Sequence, residues 1–447
     1  MSWRDKRILW FRFRVGCVLP AALSAPGHAI HSEMPQKQMR WKHLAHTYLW
    51  QNVPRGLRRQ FMFHVTARLA PRPTPHAPGR SPIIVAGFLR TASGLGEGAR
   101  LCHEALSKCG HDVYGIDLTE SFRQPGPVVP YSFRDGRCLE GPGTLILHVN
   151  GPFVPLALTR LGRRLVRDKK IVGYWAWELT KVPPEWRFGV PFVHEIWVPS
   201  RFTASAIEDI AGEVPVRVIP HPVAVRNVRV AEAHRPRRGP FTALVVFNMA
   251  SGFSRKNPLA AIEAFKRAFG SDPACQLVVR VVNADLYPAG HKALAAAVAS
   301  LTNAQISDGK AGATSMDDLY ASADVVLSLH RSEGFGLVIA EAMLHGLPVV
   351  ATNWSGNVDF LTKDNGLPIS YSLVPAHDPQ GTYDQPSCFW AEADVGAAAA
   401  KLRMIRGSRA IAVAIGKQAA IDASSIFGAE MYIQRVRELL GASLSAH

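Results

Sequence analysis

Short apolar runs alternate with longer amphipathic stretches over most of the chain after residue 80. Apolar runs of about four to eight residues predict buried strands, and the amphipathic stretches between them predict helices. The first series of predicted strands is 82–88, 111–118, 143–149, 170–175, 195–199 and 216–219, with a helix at 97–109. Strands that alternate with helices indicate a parallel sheet covered on both faces.

A second series of the same kind follows a segment rich in Pro and Arg. Its predicted strands are 242–247, 276–282, 304–306, 324–329 and 348–352, and its predicted helices are 258–269, 291–300, 315–322 and 336–345. An amphipathic helix, 427–440, is predicted at the end. The pattern predicts an α/β protein with two doubly wound, Rossmann-like domains and a ligand site in the cleft between them.

These patterns divide the chain into five parts. Residues 1–80 form a basic N-terminal extension, 81–222 an N-terminal Rossmann-like domain and 223–240 a linker. Residues 241–424 form a C-terminal Rossmann-like domain, and 425–447 a C-terminal helical segment.

The positive charge of the chain is concentrated in the extension. The net charge is +16, and residues 1–80 carry 14 Lys/Arg against 2 Asp/Glu. The remaining body is nearly balanced, so we expect no nucleic-acid partner. A basic segment that also contains Trp3, Trp10 and Trp41 suits peripheral contact with an anionic membrane, and a poorly ordered leader is the alternative.

Two further patterns concern the cellular compartment. Residues 15–25 imitate the apolar part of a signal peptide, but Pro20 interrupts them, and no later run is predicted to span a bilayer. The six cysteines include no C-x-x-C pair, which is typical of a reducing cytosol and disfavours a zinc site. We expect a cytoplasmic protein, with the inner face of the cytoplasmic membrane as the alternative location.

A glycine loop follows the first predicted strand. Gly94 and Gly96 belong to a G-x-G-x-x-A pattern with Asp117 downstream, which is the spacing of a dinucleotide-binding site. Residues 89–93 separate the strand from Gly94, whereas a dinucleotide site has its first glycine directly after the strand. The loop therefore favours binding of a differently placed phosphate at a helix start; an NAD site and a purely structural turn are the alternatives.

Two segments of the second domain carry candidate chemistry. Arg255 and Lys256 precede a helix that begins at Pro258, which is an arrangement that can bind phosphate or form a solvated turn. Farther on, Glu333 is predicted in a loop and Glu341 on the following helix. The backbone amides of residues 335–338 are predicted at the positive end of this helix, and Gly334 and Gly336 leave room for a diphosphate to approach.

The segment from Glu333 to Glu341, EGFGLVIAE, resembles the E-x7-E motif of retaining glycosyltransferases of family 4, which have the GT-B fold. The resemblance covers about residues 82–443 and includes SGFSRKNPLAAIEAFKRAF, GYWAWEL, IWVPSRFTASAI, VIPHPV and WAEADVGAAAAKL. The chain resembles the branch of that family that synthesises bacterial surface polysaccharide and lipopolysaccharide. The resemblance implies that the N-terminal domain binds the acceptor, that the C-terminal domain binds the nucleotide sugar, and that the last helix crosses back to the N-terminal domain.

The resemblance also implies residue roles. Glu333 would face the hydroxyls of the donor sugar, together with the amides of Phe335, Gly336 and Leu337, and Val338 would lie beside the diphosphate. Glu341 would accept hydrogen bonds from the ribose, and Arg255 and Lys256 would neutralise the leaving diphosphate. The loop of Gly94 and Gly96 would close over the same phosphates.

The chain departs from the family pattern at two positions. Ala250 stands where many members have an arginine, and Ala176 where many have a histidine near the reacting sugar carbon. Glu178 is the candidate for part of the role of this histidine, and a structural salt bridge is the alternative. His148 and His221 are further candidates for the cleft, with structural hydrogen bonding as the more common role.

The resemblance implies transfer of a hexose with retention of anomeric configuration to a saccharide or lipid-linked saccharide. GDP-mannose is the first expected donor and UDP-glucose the second. A leaving phosphate oxygen would take the acceptor proton, so neither a metal ion nor another cofactor is expected. The alternatives are a non-catalytic scaffold in a polysaccharide-synthesis complex and an NAD-dependent or sugar-nucleotide-modifying enzyme.

Overall fold

The computed structural model describes residues 53–108, 110–124, 128–223, 239–308 and 314–440. Phe63–His447 form one unit, and Met1–Met62 form another. The part of the predicted extension before residue 53, with its proposed membrane contact, lies outside the described residues. The same holds for residues 224–238 of the predicted linker.

The first domain is built on a six-stranded sheet in its described residues. The strands are β1 (Ile83–Gly87), β2 (Val113–Asp117), β3 (Gly143–His148), β4 (Lys169–Tyr174), β5 (Glu195–Val198) and β6 (Val216–Val218). They are all parallel, in the order β2-β1-β3-β4-β5-β6. Helix α1 (Arg55–Leu69) precedes the sheet in sequence, and the helices of the domain are α2 (Gly94–Lys108), α3 (Val154–Leu161), α4 (Arg163–Val166) and α5 (Arg201–Ala211). Every residue of β1 and β3 is buried, because helices cover both faces of the sheet.

The second domain contains another parallel sheet, with its strands in the order β12-β11-β10-β7-β8-β9. These strands are β7 (Phe241–Asn248), β8 (Cys275–Val282), β9 (Ala304–Asp308), β10 (Val325–Ser328), β11 (Val349–Thr352) and β12 (Leu367–Ile369). Its helices are α6 (Phe253–Lys256), α7 (Pro258–Phe269), α8 (Pro288–Ala299), α9 (Met316–Ser322), α10 (Leu337–Leu344), α11 (Val395–Gly407) and α12 (Arg409–Phe427). The predicted fold class, with two doubly wound domains, is confirmed.

An antiparallel hairpin follows the second sheet and was not predicted. It pairs β13 (Tyr371–Pro375) with β14 (Phe389–Ala393). Most residues of β13 are exposed, so the strand lacks the apolar run that marks the buried strands of the parallel sheets. The hairpin lies beside the cation-bearing segment of the second domain.

The last helix, α13 (Ala429–Leu440), packs against the first domain. Tyr432, Ile433 and Val436 are buried in one apolar cluster with residues of β1 and α2. The hydroxyl of Tyr432 donates a hydrogen bond to Cys102 Sγ at 3.0 Å. The helix therefore crosses back from the second domain to the first, as the resemblance implies.

One segment of the described residues, Arg409–Leu440, is long and apolar enough to cross a membrane by length and composition alone. The sequence pattern had predicted no such segment after residue 25. In the structure it consists of α12 and α13, separated at Gly428, and α12 buries Ala419, Ala423 and Phe427 in the core of the second domain.

Helix α1 lies upstream of the predicted boundary at residue 80. Phe63 is buried, and its ring lies 5.6 Å from that of Phe153 and 6.3 Å from that of Phe188, both in the first domain. Residues 63–80 therefore pack with the domain that the pattern had placed after them.

The contact between α12 and the end of α10 gives a test of the fold. A Cβ atom at Gly416 would overlap the carbonyl oxygen of Gly346, whereas one at Gly407 would meet nothing within 4 Å. We expect Gly416→Ala to lower the free energy of unfolding by about 1–3 kcal/mol, because the backbone of one of the two segments must move. Gly407→Ala is the control, with a change of about +0.5 kcal/mol or none.

The measurement is the free energy of unfolding from urea denaturation of both variants and the wild type. Equal stability of the two variants would contradict the close contact of α12 with Gly346.

Candidate functional site

The site lies where the strand order of the second sheet reverses. β7 and β10 are neighbours in the sheet although two strands, β8 and β9, lie between them in the sequence, and the carboxyl ends of β7 and β10 open a crevice at this switch point. The segment after β7 carries Arg255 and Lys256, and the loop after β10 carries Glu333. The topology thus brings together residues that are about eighty positions apart in the chain.

Glu333 is paired with both cations. Its Oε1 accepts a short hydrogen bond from Lys256 Nζ, and its Oε2 lies 3.2 Å from Arg255 NH1. Burial acts to raise the pKa of Glu333, but the charges of Lys256, Arg255 and His330 lower it to about 2. The carboxylate is therefore ionised at any physiological pH.

The two cations differ in their surroundings. The Arg255 side chain is only 2% exposed, and its guanidinium donates hydrogen bonds to the carbonyls of Ser251 and Ser332 as well as pairing with Glu333. The Lys256 side chain is 18% exposed. Arg255 is therefore placed to hold Glu333 and its loop, and Lys256 is the cation of the pair with access to a ligand.

Helix α10 begins directly after this loop. Gly336 has a φ of 103°, which a residue with a side chain rarely adopts, and it precedes Leu337 and Val338 in the first turn. The amides at this start have no partner within the helix, and both side chains are half-buried. The Phe335 side chain is buried against Phe360 and Phe427, so only its backbone can face a ligand.

Gly334 lies at a close contact between the two domains. A Cβ atom there would be 3.0 Å from the carbonyl oxygen of Trp177, which belongs to the first domain. The carbonyl of Gly334 accepts a hydrogen bond from Ser200 Oγ at 2.6 Å and another from Thr203 Oγ1 at 3.3 Å. Glycine at position 334 therefore allows the two domains to approach each other closely, a role that the sequence did not indicate.

Glu341 lies on α10, as predicted, and accepts a hydrogen bond from the hydroxyl of Tyr320 at 2.7 Å. Burial raises the pKa of Glu341 to about 7, and the carboxylates of Glu97 and Asp317 act in the same direction. The bond from Tyr320 favours the ionised form but does not cancel the effect of burial. Glu341 therefore changes protonation near neutral pH, in contrast to Glu333.

The glycine loop of the first domain forms the start of α2, which begins at Gly94. A Cβ atom at Gly96 would lie 2.5 Å from the carbonyl oxygen of Thr91, whereas one at Gly94 would meet nothing within 4 Å. Asn248, at the end of β7, donates a hydrogen bond to the carbonyl of Ala92 at 3.0 Å. This bond brings the loop to the carboxyl edge of the second sheet.

Glu178 is connected to the cation pair through one tyrosine. Its Oε2 accepts a hydrogen bond from the hydroxyl of Tyr383 at 3.0 Å, and the Tyr383 ring lies 5.1 Å from Arg255 Cζ. Ala176, at the position of the family histidine, exchanges two backbone hydrogen bonds with the side chain of Asn150, each 2.9 Å long.

His148 and His221 are buried in an aromatic stack. The His148 ring lies 4.5 Å from that of Tyr174, which in turn lies 5.1 Å from that of His221. Burial lowers the pKa of His148 well below its ordinary value and that of His221 to about 3, so both are neutral. The ring of His221 also contacts Phe335, and the stack thus joins the two domains.

Several residues of the site were not predicted from the sequence. Tyr320, Tyr383, Ser200 and Asn248 each contact a predicted residue or its loop over a long distance in sequence. The Tyr and Ser residues belong to no motif of fixed spacing, so the sequence did not single them out. Asn248 directly follows a predicted strand that ends at the point where the strand order reverses, and ligands bind at such points in open α/β sheets. Its position was therefore a signal that could have identified it. Among the described residues, no group of three or more His, Cys, Asp or Glu side chains is arranged to hold a metal ion.

The different surroundings of the two cations predict different effects on stability. We expect Arg255→Met to lower the free energy of unfolding by about 3–5 kcal/mol, because it removes one of the two cations paired with buried Glu333 and also the donor to the carbonyls of Ser251 and Ser332. Lys256→Met should lower it by about 1–2 kcal/mol, since Glu333 keeps Arg255. Urea denaturation measures both; equal losses would contradict the structural role of Arg255.

The raised pKa of Glu341 predicts a pH dependence of stability. Between its ordinary pKa of 4.5 and about 7, Glu341 holds its proton in the folded state but not in the unfolded state. Its contribution to stability is therefore complete below pH 4.5 and is lost as the pH rises through about 7. We expect the stability of the wild type relative to Glu341→Gln to fall over this interval and to be constant above it, as measured by urea denaturation at several pH values. A constant difference throughout would show that the pKa of Glu341 is not raised.

Residues 200–411, which contain every predicted site residue of the second domain, match the family described as "Family 4 Glycosyltransferase in conflict systems". No curated protein matches the chain.

Solved structures resemble the chain at low sequence identity. Sucrose-phosphate synthase of Thermosynechococcus elongatus is 16% identical over 80% of this chain and 98% of its own, with a TM-score of 0.56. Anabaena HepE, solved with UDP-glucose, is 15% identical over 80% of this chain and 98% of its own, with a TM-score of 0.54. A variant of S. aureus TarM is 13% identical with a TM-score of 0.48, and this chain, over 67% of its length, spans only 55% of that protein. The likeness to the first two structures shows that the chain has the GT-B fold. Its residues 200–411 are similar to the family 4 glycosyltransferases that the matching family model describes.

Proposed function

We propose that the chain is a retaining glycosyltransferase that moves a hexose from a nucleoside-diphosphate sugar to a saccharide acceptor. The arrangement of Lys256, Glu333 and the start of α10 at one switch point carries this proposal. An accessible cation and free helix amides bind a diphosphate, and the adjacent carboxylate can accept hydrogen bonds from sugar hydroxyls. The family match of the same residues supports transfer of a glycosyl group.

The proposed donor lies along the loop and helix of the second domain. Lys256 and the amides of Leu337 and Val338 bind the diphosphate, and Glu341, held by Tyr320, binds the ribose. Glu333 faces the hydroxyls of the sugar. Arg255 acts mainly through Glu333, because its own donors are directed to Ser251, Ser332 and the carboxylate.

In the proposed reaction the acceptor oxygen forms a bond to the anomeric carbon on the face from which the diphosphate leaves. The bond between that carbon and the phosphate oxygen breaks, and the leaving phosphate oxygen takes the acceptor proton. Lys256 and the helix amides stabilise the charge that develops on the diphosphate. With this charge stabilised by the protein, the proposal includes neither a metal ion nor a protein general base.

The acceptor in this proposal is a saccharide or a lipid-linked saccharide of a cell-surface polysaccharide, used in the cytoplasm or at the inner face of its membrane. The description of the matching family mentions conflict systems and not polysaccharide synthesis. A role in a conflict system is therefore the alternative to a role in polysaccharide synthesis. GDP-mannose and UDP-glucose are the proposed donors, and HepE, which was solved with UDP-glucose, supports including the latter.

A thermal-shift panel of UDP-glucose, GDP-mannose, UDP, GDP and NAD tests the proposal. A ligand present at 100 times its dissociation constant should stabilise the wild type by about 2.7 kcal/mol. We expect one nucleotide sugar and its diphosphate to stabilise the wild type and to lose this effect in Lys256→Ala, because the diphosphate loses its cation. Lys266→Ala, on the exposed end of α7, is the matched control and should keep the effect.

The panel separates the alternatives. Stabilisation by NAD alone would favour a dehydrogenase, and no stabilisation by any nucleotide would favour a non-catalytic scaffold. Binding in the wild type without transfer or donor hydrolysis would also contradict the proposed activity.

A further inference from the structure

The loop of the antiparallel hairpin, residues 376–388, packs into the first domain although it belongs to the second. Ala376, Tyr383 and Cys388 are buried in the same apolar cluster as Trp175 and Trp177, which follow β4. The ring of Tyr383 lies 5.4 Å from that of Trp177. The hairpin loop is therefore a part of the second domain that is fixed against the first.

One buried carboxylate holds the hairpin loop in shape. Asp378 is 1% exposed and accepts hydrogen bonds from the backbone amides of Gln380, Thr382 and Tyr383, at 3.1, 3.0 and 3.1 Å. Three such bonds to one carboxylate fix the backbone from residue 378 to residue 383.

The hairpin loop also binds the segment that carries Arg255 and Lys256. Gln380 Oε1 accepts a hydrogen bond at 2.6 Å from the amide of Phe253, the first residue of α6, and its Nε2 donates to the carbonyl of Met249 at 3.2 Å. Glu392, on β14, accepts hydrogen bonds from Asn257 at 3.3 Å and from Arg331 at 2.6 Å. The hairpin thus holds both ends of the short helix α6.

Tyr383 connects this segment to the first domain. Its ring lies over the guanidinium of Arg255, at 5.1 Å, and its hydroxyl donates to Glu178 Oε2 at 3.0 Å. Gly252 is close to the same ring, since a Cβ atom there would be 3.1 Å from Tyr383 Cε2. The side chain of Tyr383 therefore contacts both Arg255, which holds Glu333, and Glu178 of the first domain.

We propose that Tyr383 is a positioning residue for glycosyl transfer, which fixes Glu178 of the first domain relative to the Arg255–Glu333 pair of the second, and that the hairpin loop holds it there. This inference rests on the proposed function, with Glu178 on the acceptor side of the site. Loss of the Tyr383 hydroxyl leaves the proposed donor-binding groups, which are Lys256, the α10 amides and Glu341, in place. It should therefore lower kcat more than it weakens donor binding.

Tyr383→Phe tests the positioning role, because it keeps the ring over Arg255 and removes only the bond to Glu178. Tyr371→Phe, on the exposed strand of the same hairpin, is the matched control. The readouts are kcat and KM for transfer or hydrolysis of UDP-glucose and of GDP-mannose. We expect Tyr383→Phe to lower kcat by about tenfold with KM changed by less than about threefold, and Tyr371→Phe to change neither.

A double variant distinguishes positioning from simple structural support. If Tyr383 acts through Glu178, then Tyr383→Phe in a Glu178→Ala background, in which the acceptor of its hydrogen bond is absent, should lower kcat no further. Additive losses, or an unchanged kcat in Tyr383→Phe, would overturn the proposal.

A measurement without substrate tests the hairpin loop independently of the proposed function. Hydrogen–deuterium exchange at the Phe253 amide should be about tenfold faster in Gln380→Ala than in the wild type and unchanged in Thr382→Ala, since only Gln380 accepts a hydrogen bond from that amide. Gln380→Glu keeps an oxygen that can accept the hydrogen bond from the Phe253 amide, so exchange at this amide should be as slow as in the wild type. This variant replaces Gln380→Ala in the comparison if the alanine variant does not fold.

The activity measurements and the exchange measurement test different parts of the proposal, so each can give a negative result without the other. If the wild type neither binds nor hydrolyses the two nucleotide sugars, the proposed function and the role of Tyr383 in it fail together, and the exchange result alone then decides whether the loop holds α6. Unchanged exchange in Gln380→Ala overturns the contribution of the loop, whatever the activity.

Discussion

A buried carboxylate with two cations is the constraint on which the rest of the site depends. Glu333 is 8% exposed, and such a group is stable in ionised form only if its charge is compensated. Arg255 and Lys256 provide this compensation from the segment after β7, so the loops that follow β7 and β10 must keep a fixed relative position. The carbonyls of Ser251 and Ser332, the hairpin and the start of α10 are arranged around that pair.

The fold was largely predictable because its strands are buried on both faces. Such strands are short apolar runs between helices, and this signal is local in the sequence. The hairpin lacked the signal because β13 is mostly exposed, and the packing of residues 63–80 on the first domain was missed because their composition resembles that of the charged segment before them. Local patterns therefore indicated the two domains better than the elements that connect them.

The site was predictable only in part. Arg255, Lys256, Glu333 and Glu341 belong to motifs of fixed spacing, and the structure brings the first three into contact and places Glu341 on the helix that follows. Their surroundings depend on residues far away in sequence, such as Tyr320 beside Glu341 and Tyr383 beside Glu178. The sequence also gave no reason to separate Arg255 from Lys256, because burial is a property of the folded chain.

The bonds from Ser200 and Thr203 to the carbonyl of Gly334 have a consequence for engineering by domain exchange. The family match begins at residue 200, well before the second sheet begins at Phe241, so the matched segment includes part of the first domain. A second domain excised at the linker would lose the hydroxyl donors to Gly334, which directly follows Glu333. Chimeras that combine this second domain with a foreign first domain therefore need Ser200 and helix α5 to be transferred with it, or the two hydroxyl donors rebuilt in the new partner.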